Sequence, residues 1–252
     1  MTMTVISPVI DSTGASTATL KSFAAPSGLL TTDIDAIVAF VKDNLANNQV
    51  QYNADSGTYS VELDANSVSA QTADFSMGIK AGAASPGTTI AHWDAVYNSL
   101  QCIGVRFGIR GADLVTPVNA KSASITRADV TGTPTDPVLT VPGLTTTVDG
   151  CLVIGIIGAG AAQTAYHPSG FNDVSGWDKI LAGQANADGN TISAGVFSKI
   201  QTTAGATGSL AATIKTTGVD FSWVGAMIAI APASGGGGPS GPTGVLVNFF
   251  GI

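Results

Sequence analysis

Apolar residues along this chain fall in short runs, some alternating with polar positions and some filled throughout, bounded by Gly, Asn, Asp or Pro. "TYSVELDA" (58–65) alternates, which predicts a half-buried strand with Val61 and Leu63 on one face and Glu62 and Asp64 on the other. "GVRFGIRG" (104–111) alternates too, placing Val105, Phe107 and Ile109 inward and Arg106 and Arg110 outward. "CLVIGIIGAG" (151–160) and "WVGAMIAIA" (223–231) carry no charge and read as buried strands. One segment is ambiguous. Ile34, Ile37, Val38, Val41 and Leu45 lie on a helical stripe, so a helix across 33–46 competes with a strand over 34–41 that runs into a helical turn at "KDNLANN". The strand is favoured, because its counterpart at 151–160 is β-branched and glycine-terminated. Asp-Ser-Gly (55–57) and Asp-Gly-Asn (188–190) supply hairpin-turn chemistry. Short strands at regular spacing predict an all-β sandwich or jelly roll.

The pattern occurs twice. "APSGLLTTDIDAIVAFV" (25–41) parallels "VPGLTTTVDGCLVIGII" (141–157): a Pro, Gly-Leu, a Thr pair, an Asp and an apolar run. "ASPGTTIAHWDAVYNSLQCIGVRFGIRGA" (84–112) parallels "GATGSLAATIKTTGVDFSWVGAMIAIAPA" (205–233), and "YNADSGTYS" (52–60) stands between the first members as "ANADGNTIS" (185–193) stands between the second. The order predicts an internal duplication into two tandem β-sandwich or jelly-roll-like units with extended terminal arms. The expected organisation is an N-terminal arm (1–14), unit one (15–116), unit two (117–233), a Gly/Pro/Ser linker (234–243) and an apolar C-terminal docking tail (244–252).

That tail poses the functional question. Val245, Leu246, Val247, Phe249, Phe250 and Ile252 follow a spacer that spans on the order of 17 Å as a coil. Left in water, they form an aggregation-prone strand. They are therefore the expected partner-docking residues, seated on a sheet edge or in an apolar groove of another subunit, the alternative being a tip folded back on its own domain. "MTMTVISPVI" is the candidate for a second docking arm.

Composition narrows the partners. Charged residues make up 11% of the chain, well under the roughly 25% of ordinary soluble domains, which suits packed β-structure and large interfaces. A net charge of −7 with scattered arginines argues against nucleic acid. No apolar run approaches about 20 residues, so no membrane insertion is expected. "MTMTVISPVIDSTG" has no basic n-region, so folding in a cytoplasm is expected, with Cys102 and Cys151 as buried reduced thiols.

Chemistry finds little support. His92 and His167 lack neighbours at metal-ligand spacing, and no serine sits in a nucleophile elbow. Glu62 is the only glutamate, which leaves few partners for a carboxylate pair. "GIIGAGAA" (155–162) lacks the βαβ setting of a dinucleotide loop, and the Asp-rich turns do not match a calcium loop. No catalytic residue, cofactor or metal is expected, and the chain does not read as an enzyme. Trp177, in "DVSGWDKI", is the one ligand-stacking candidate among the tryptophans.

The loop "PSGFNDVSGWDKI" (168–180), the turn "GATG" (205–208), the closing strand "WVGAMIAIAPA" (223–233) and the hand-over segment "RGADLVTPVNA" (110–120) together resemble β-sandwich units of tailed-bacteriophage virion proteins, over roughly residues 20–233. The first unit departs from that pattern, with "YNADSGTYS" where the second has its Gly-Trp loop. The resemblance implies a non-enzymatic tail, fibre or capsid-decorating component. It would assemble in the host cytoplasm with copies of itself and other virion proteins. The alternative is a lectin-like module at a fibre tip that binds a host receptor or surface glycan.

Overall fold

The computed structural model describes residues 3–16, 20–42, 50–53, 59–65, 73–82, 89–93, 100–123, 126–132, 135–161, 170–187, 190–216 and 220–234. Among these the chain is all-β. The first eight strands are β1 (Thr4–Ser16), β2 (Leu20–Phe23), β3 (Asp33–Lys42), β4 (Val50–Asn53), β5 (Ser60–Ala65), β6 (Ala73–Ala81), β7 (Thr89–Trp93) and β8 (Leu100–Arg110). There follow β9 (Val118–Lys121), β10 (Thr126–Val130), β11 (Val138–Val141), β12 (Thr145–Thr146), β13 (Cys151–Ala161) and β14 (Gly170–Phe171). The last are β15 (Asp178–Ala187), β16 (Asn190–Gln201), β17 (Gly205–Ala206), β18 (Leu210–Lys215) and β19 (Phe221–Ile230).

Two long antiparallel sheets organise the molecule, ordered β1-β8-β3-β6-β5 and β10-β19-β13-β16-β15, with β9 also paired to β19. Two smaller sheets accompany them, β2-β7-β4 and β11-β18-β14, and β12 pairs with β17. The strand order of one half repeats that of the other once the short β12–β17 pair is set aside and β9 and β10, both on β19, are taken together against the single long β1 on β8. Register extends the match. Asp35 lies opposite Gly108 and Lys80, as Val153 lies opposite Ala229 and Lys199. On the same scheme Arg106 matches Met227, Phe40 matches Gly158, and Tyr59, just before β5, matches Trp177, just before β15. Both edge strands even carry a bulge at the same place, Val61/Leu63 and Lys179/Leu181.

The long sheets pack face to face. Ile34, Ala36, Val38 and Phe40 of β3 meet a layer containing Leu152, Ile154, Ile156, Val196, Val224 and Ile228, all within one core. Contacts across it include three matching pairs, β3 with β16 and β6 with β13, β8 with β16 and β6 with β19, β8 with β15 and β5 with β19, beside an extensive contact of β1 with β15. This is the pattern of an approximate twofold running along β3 and β13. The far face of the second long sheet, through Val153, Ile157, Phe197 and Met227, builds a second core with Leu139, Val141, Leu210 and Ile214 of its small sheet.

Several expectations change. Residues 33–42 are strand throughout. Arg106 is buried, because β8 is covered on both faces: Val105, Phe107 and Ile109 enter the inter-sheet core while Arg106 faces the other way onto Asp35. Val61 is exposed although Leu63 is buried, since the bulge between them breaks the alternation. The N-terminal arm expected over 1–14 is instead, from Thr4 onward, the edge strand β1 on β8. Its bulge between Ile6 and Val9, with Ser7 at φ 42° and Pro8 beside it, interrupts the outer hydrogen-bonding edge.

Candidate functional site

At the end of the sandwich where β3 and β13 begin and β8 and β19 stop, the halves are laced together by backbone. The Asp113 amide donates to the Ala231 carbonyl (2.9 Å), the Ala231 amide to Pro117 (2.7 Å) and the Ala233 amide to Gly111 (2.7 Å). Between this strap and the loop ahead of β3 opens a cleft of about 390 Å³, lined by Leu30, Thr32, Arg110–Leu114, Ala233 and Ser234.

Polar groups shape the cleft, one cation and one anion at the surface among them, each held by hydrogen bonds. Arg110 donates through Nε and Nη2 to the two oxygens of Asp33 (3.1 and 2.8 Å) and through Nη2 to the Gly28 carbonyl (3.1 Å). Asp33 is fully buried and also accepts from the Leu30 amide (2.8 Å), which fixes the loop that carries Leu30. On the opposite rim Asp113 accepts from the amides of Val115 (2.8 Å) and Thr116 (3.1 Å), a tight Asx turn that holds Val115 outward, 89% exposed. Leu30, at 51%, is the other large apolar group presented here. Val148 and Ile200 are exposed at the same end.

These carboxylates give stability a pH dependence. Burial alone raises the pKa of Asp33, but the hydrogen bonds from Arg110 and the Leu30 amide outweigh it and hold the carboxyl below its ordinary value. The Val115 and Thr116 amides lower Asp113, and Lys215 lowers Asp136. Lowered carboxyls bind fewer protons folded than unfolded. Their contribution is complete above the ordinary value, near pH 4, and is lost as pH falls through the folded values. The thermal midpoint is therefore expected to hold from about pH 7 to 5 and to drop below about pH 4, with Asp33→Asn flattening that limb. An acid limb of wild-type steepness in Asp33→Asn would remove Asp33 as a source.

Deeper in the first half lies a buried ionic group. Arg106, 1% exposed, donates through Nε and Nη2 to Asp35 (3.0 and 2.7 Å) and through Nη2 to the Tyr59 hydroxyl (3.1 Å), which itself donates to Asp35. Burial works against the charged guanidinium, yet the bonds and charge of Asp35 raise its pKa overall. Every member has a partner, so the group reads as structural and not as waiting for a ligand.

The sequence candidates fall as follows. Val245, Leu246, Val247, Phe249, Phe250 and Ile252 lie outside the described residues, as do His167 and the side chains of His92, Trp93, Cys102 and Arg127. Cys151 is buried, its thiol held up by burial and donating to the Val148 carbonyl (3.3 Å). Trp177 is half-buried beside Gly155, with the Lys199 ammonium 4.5 Å from its ring centroid. It plugs its half of the molecule where Tyr59 plugs the other. Among the described residues, no three His, Cys, Asp or Glu side chains gather where they could hold a metal ion. Leu30, Leu114 and Val115 escaped the sequence reading. The signal was there in "GADLVTP", whose Asp and Pro bracket a turn with two apolar residues at its tip. No family model, no curated protein and no solved structure matches the chain.

Proposed function

We propose that this chain is a non-enzymatic structural component of a phage virion, of the tail, fibre or capsid-decorating kind, and that it assembles through its β-units and its C-terminal segment. The observation that carries the reading is the end face just described. It presents Leu30 and Val115 beside an apolar cleft, and the chain leaves that cleft at Ser234 for a spacer and six large apolar residues. The low charge content and the β-sandwich resemblance support it. The glycan-binding alternative is weaker, because the Trp177 ring already packs against Gly155 and Lys199.

Light scattering on the full chain and on a truncation ending at Ala233 tests this. The nineteen strands of the described residues lie within 4–230, so the truncation keeps all of them. A discrete multimer for the full chain and a folded monomer for the truncation are expected. Equally stable monomers would sink assembly through the tail and move the binding-module reading ahead.

A further inference from the structure

We propose that the Leu30–Leu114 cleft is the receptor for residues 245–252 of a neighbouring copy, so that copies join head to tail. The inference rests on the assembly reading and supplies the acceptor that it leaves unnamed. The first support is chemical match. Leu30, Ala112 and Leu114 give the cleft an apolar lining, and its one cation, Arg110, is already neutralised by Asp33. Its anion, Asp113, is held by the Val115 and Thr116 amides, and "VLVNFFGI" has no charged side chain and so brings no carboxylate side chain against it.

The second support is that the described residues pack both cores closely: Ile34, Val38, Phe40, Ile154 and Ile228 of one, and Val153, Leu210 and Met227 of the other, are fully buried among their neighbours. The third is the tether. Hydrogen bonds from Ala231 and Ala233 pin the chain to the cleft's rim, so the spacer 234–243 starts there and reaches about 17 Å as a coil. That reach is enough to carry the segment to the cleft of a neighbouring copy. Donor and acceptor are different patches, so the contact is heterologous and builds a ring or a filament.

The test uses the full chain throughout. Phe249→Asp/Phe250→Asp removes the donor. Leu30→Asp removes the acceptor at a half-exposed position that keeps the fold, and Leu114→Asp is a second acceptor variant. Sedimentation of each against concentration is expected to show self-association in the wild type and to show it weakened at least about tenfold in every variant. Mixing the donor variant with an acceptor variant is expected to restore association as closed one-to-one pairs, since one intact tail and one intact cleft remain. A dispersed donor variant beside an acceptor variant as associated as wild type would overturn the cleft and leave tail-driven assembly standing. A wild type that stays single at all concentrations, or a donor variant that associates fully, would overturn both.

Discussion

Arg106→Met alone is expected to lower the free energy of unfolding by about 3–5 kcal/mol, because it strands the buried Asp35 carboxylate without its counter-ion. That is a large share of the roughly 5–15 kcal/mol that holds a domain together. The second half of the molecule shows how the same place is filled without charge. Val153 and Met227 stand where Asp35 and Arg106 stand, in an apolar core with the Thr207 hydroxyl against the Met227 sulfur. The triple variant Asp35→Val/Arg106→Met/Tyr59→Phe replaces these three polar side chains together and is expected to be clearly more stable than Arg106→Met alone. Urea unfolding of the single and triple variants decides. A triple variant as unstable as Arg106→Met would show that the ionic group contributes more than its own desolvation and pairing.

Arg106 also marks the limit of what the sequence disclosed. Alternation in "GVRFGIRG" gave the strand and its inward apolar face, yet alternation cannot say that the other face is covered too. A strand buried on both sides reads as half-buried whenever its second face is filled by a paired charge, and Asp35 lies seventy-one positions away. The likeness in strand order of the two halves was legible in part. Segments 84–112 and 205–233 align as β8 and β19 do in the sheets. The 25–41 and 141–157 match falls on the right strands two positions out of register, because the loops before β3 and β13 differ in length. "YNADSGTYS" and "ANADGNTIS" do not correspond: the first leads from β4 into β5, while the second is the β15–β16 hairpin, where Ala187 pairs with Asn190. Turn residues recur in any β-protein, so their likeness says little about register. The cleft was the least legible element, since Leu30, Leu114 and Ser234 are brought together only by the strap between 111–117 and 231–233.

The largest packing effect is expected at Phe40, whose truncation to Ala should cost about 3–5 kcal/mol. Its ring is fully buried between the long sheets, tilted 43° against Phe75, and directly faces Gly158. A Cβ on Gly158 would come within 2.8 Å of the Phe40 ring, so Gly158→Ala is expected to cost about 1–3 kcal/mol by overpacking. The reason for so unequal a pair lies in the approximate twofold. Phe40 and Gly158 occupy the same position of matching strands, and an axis running between those strands brings such a position onto its own counterpart. Two phenylalanines there would overlap, and two glycines would leave a void, so one side must be large and the other small. The exchange Phe40→Gly/Gly158→Phe keeps that complement and is expected to be clearly more stable than Phe40→Gly alone, with a coupling of about 0.5–3 kcal/mol in a double-mutant cycle. Additive losses would mean that the two residues do not share one site across the axis. The twofold would then be a resemblance of strand order and not of packing.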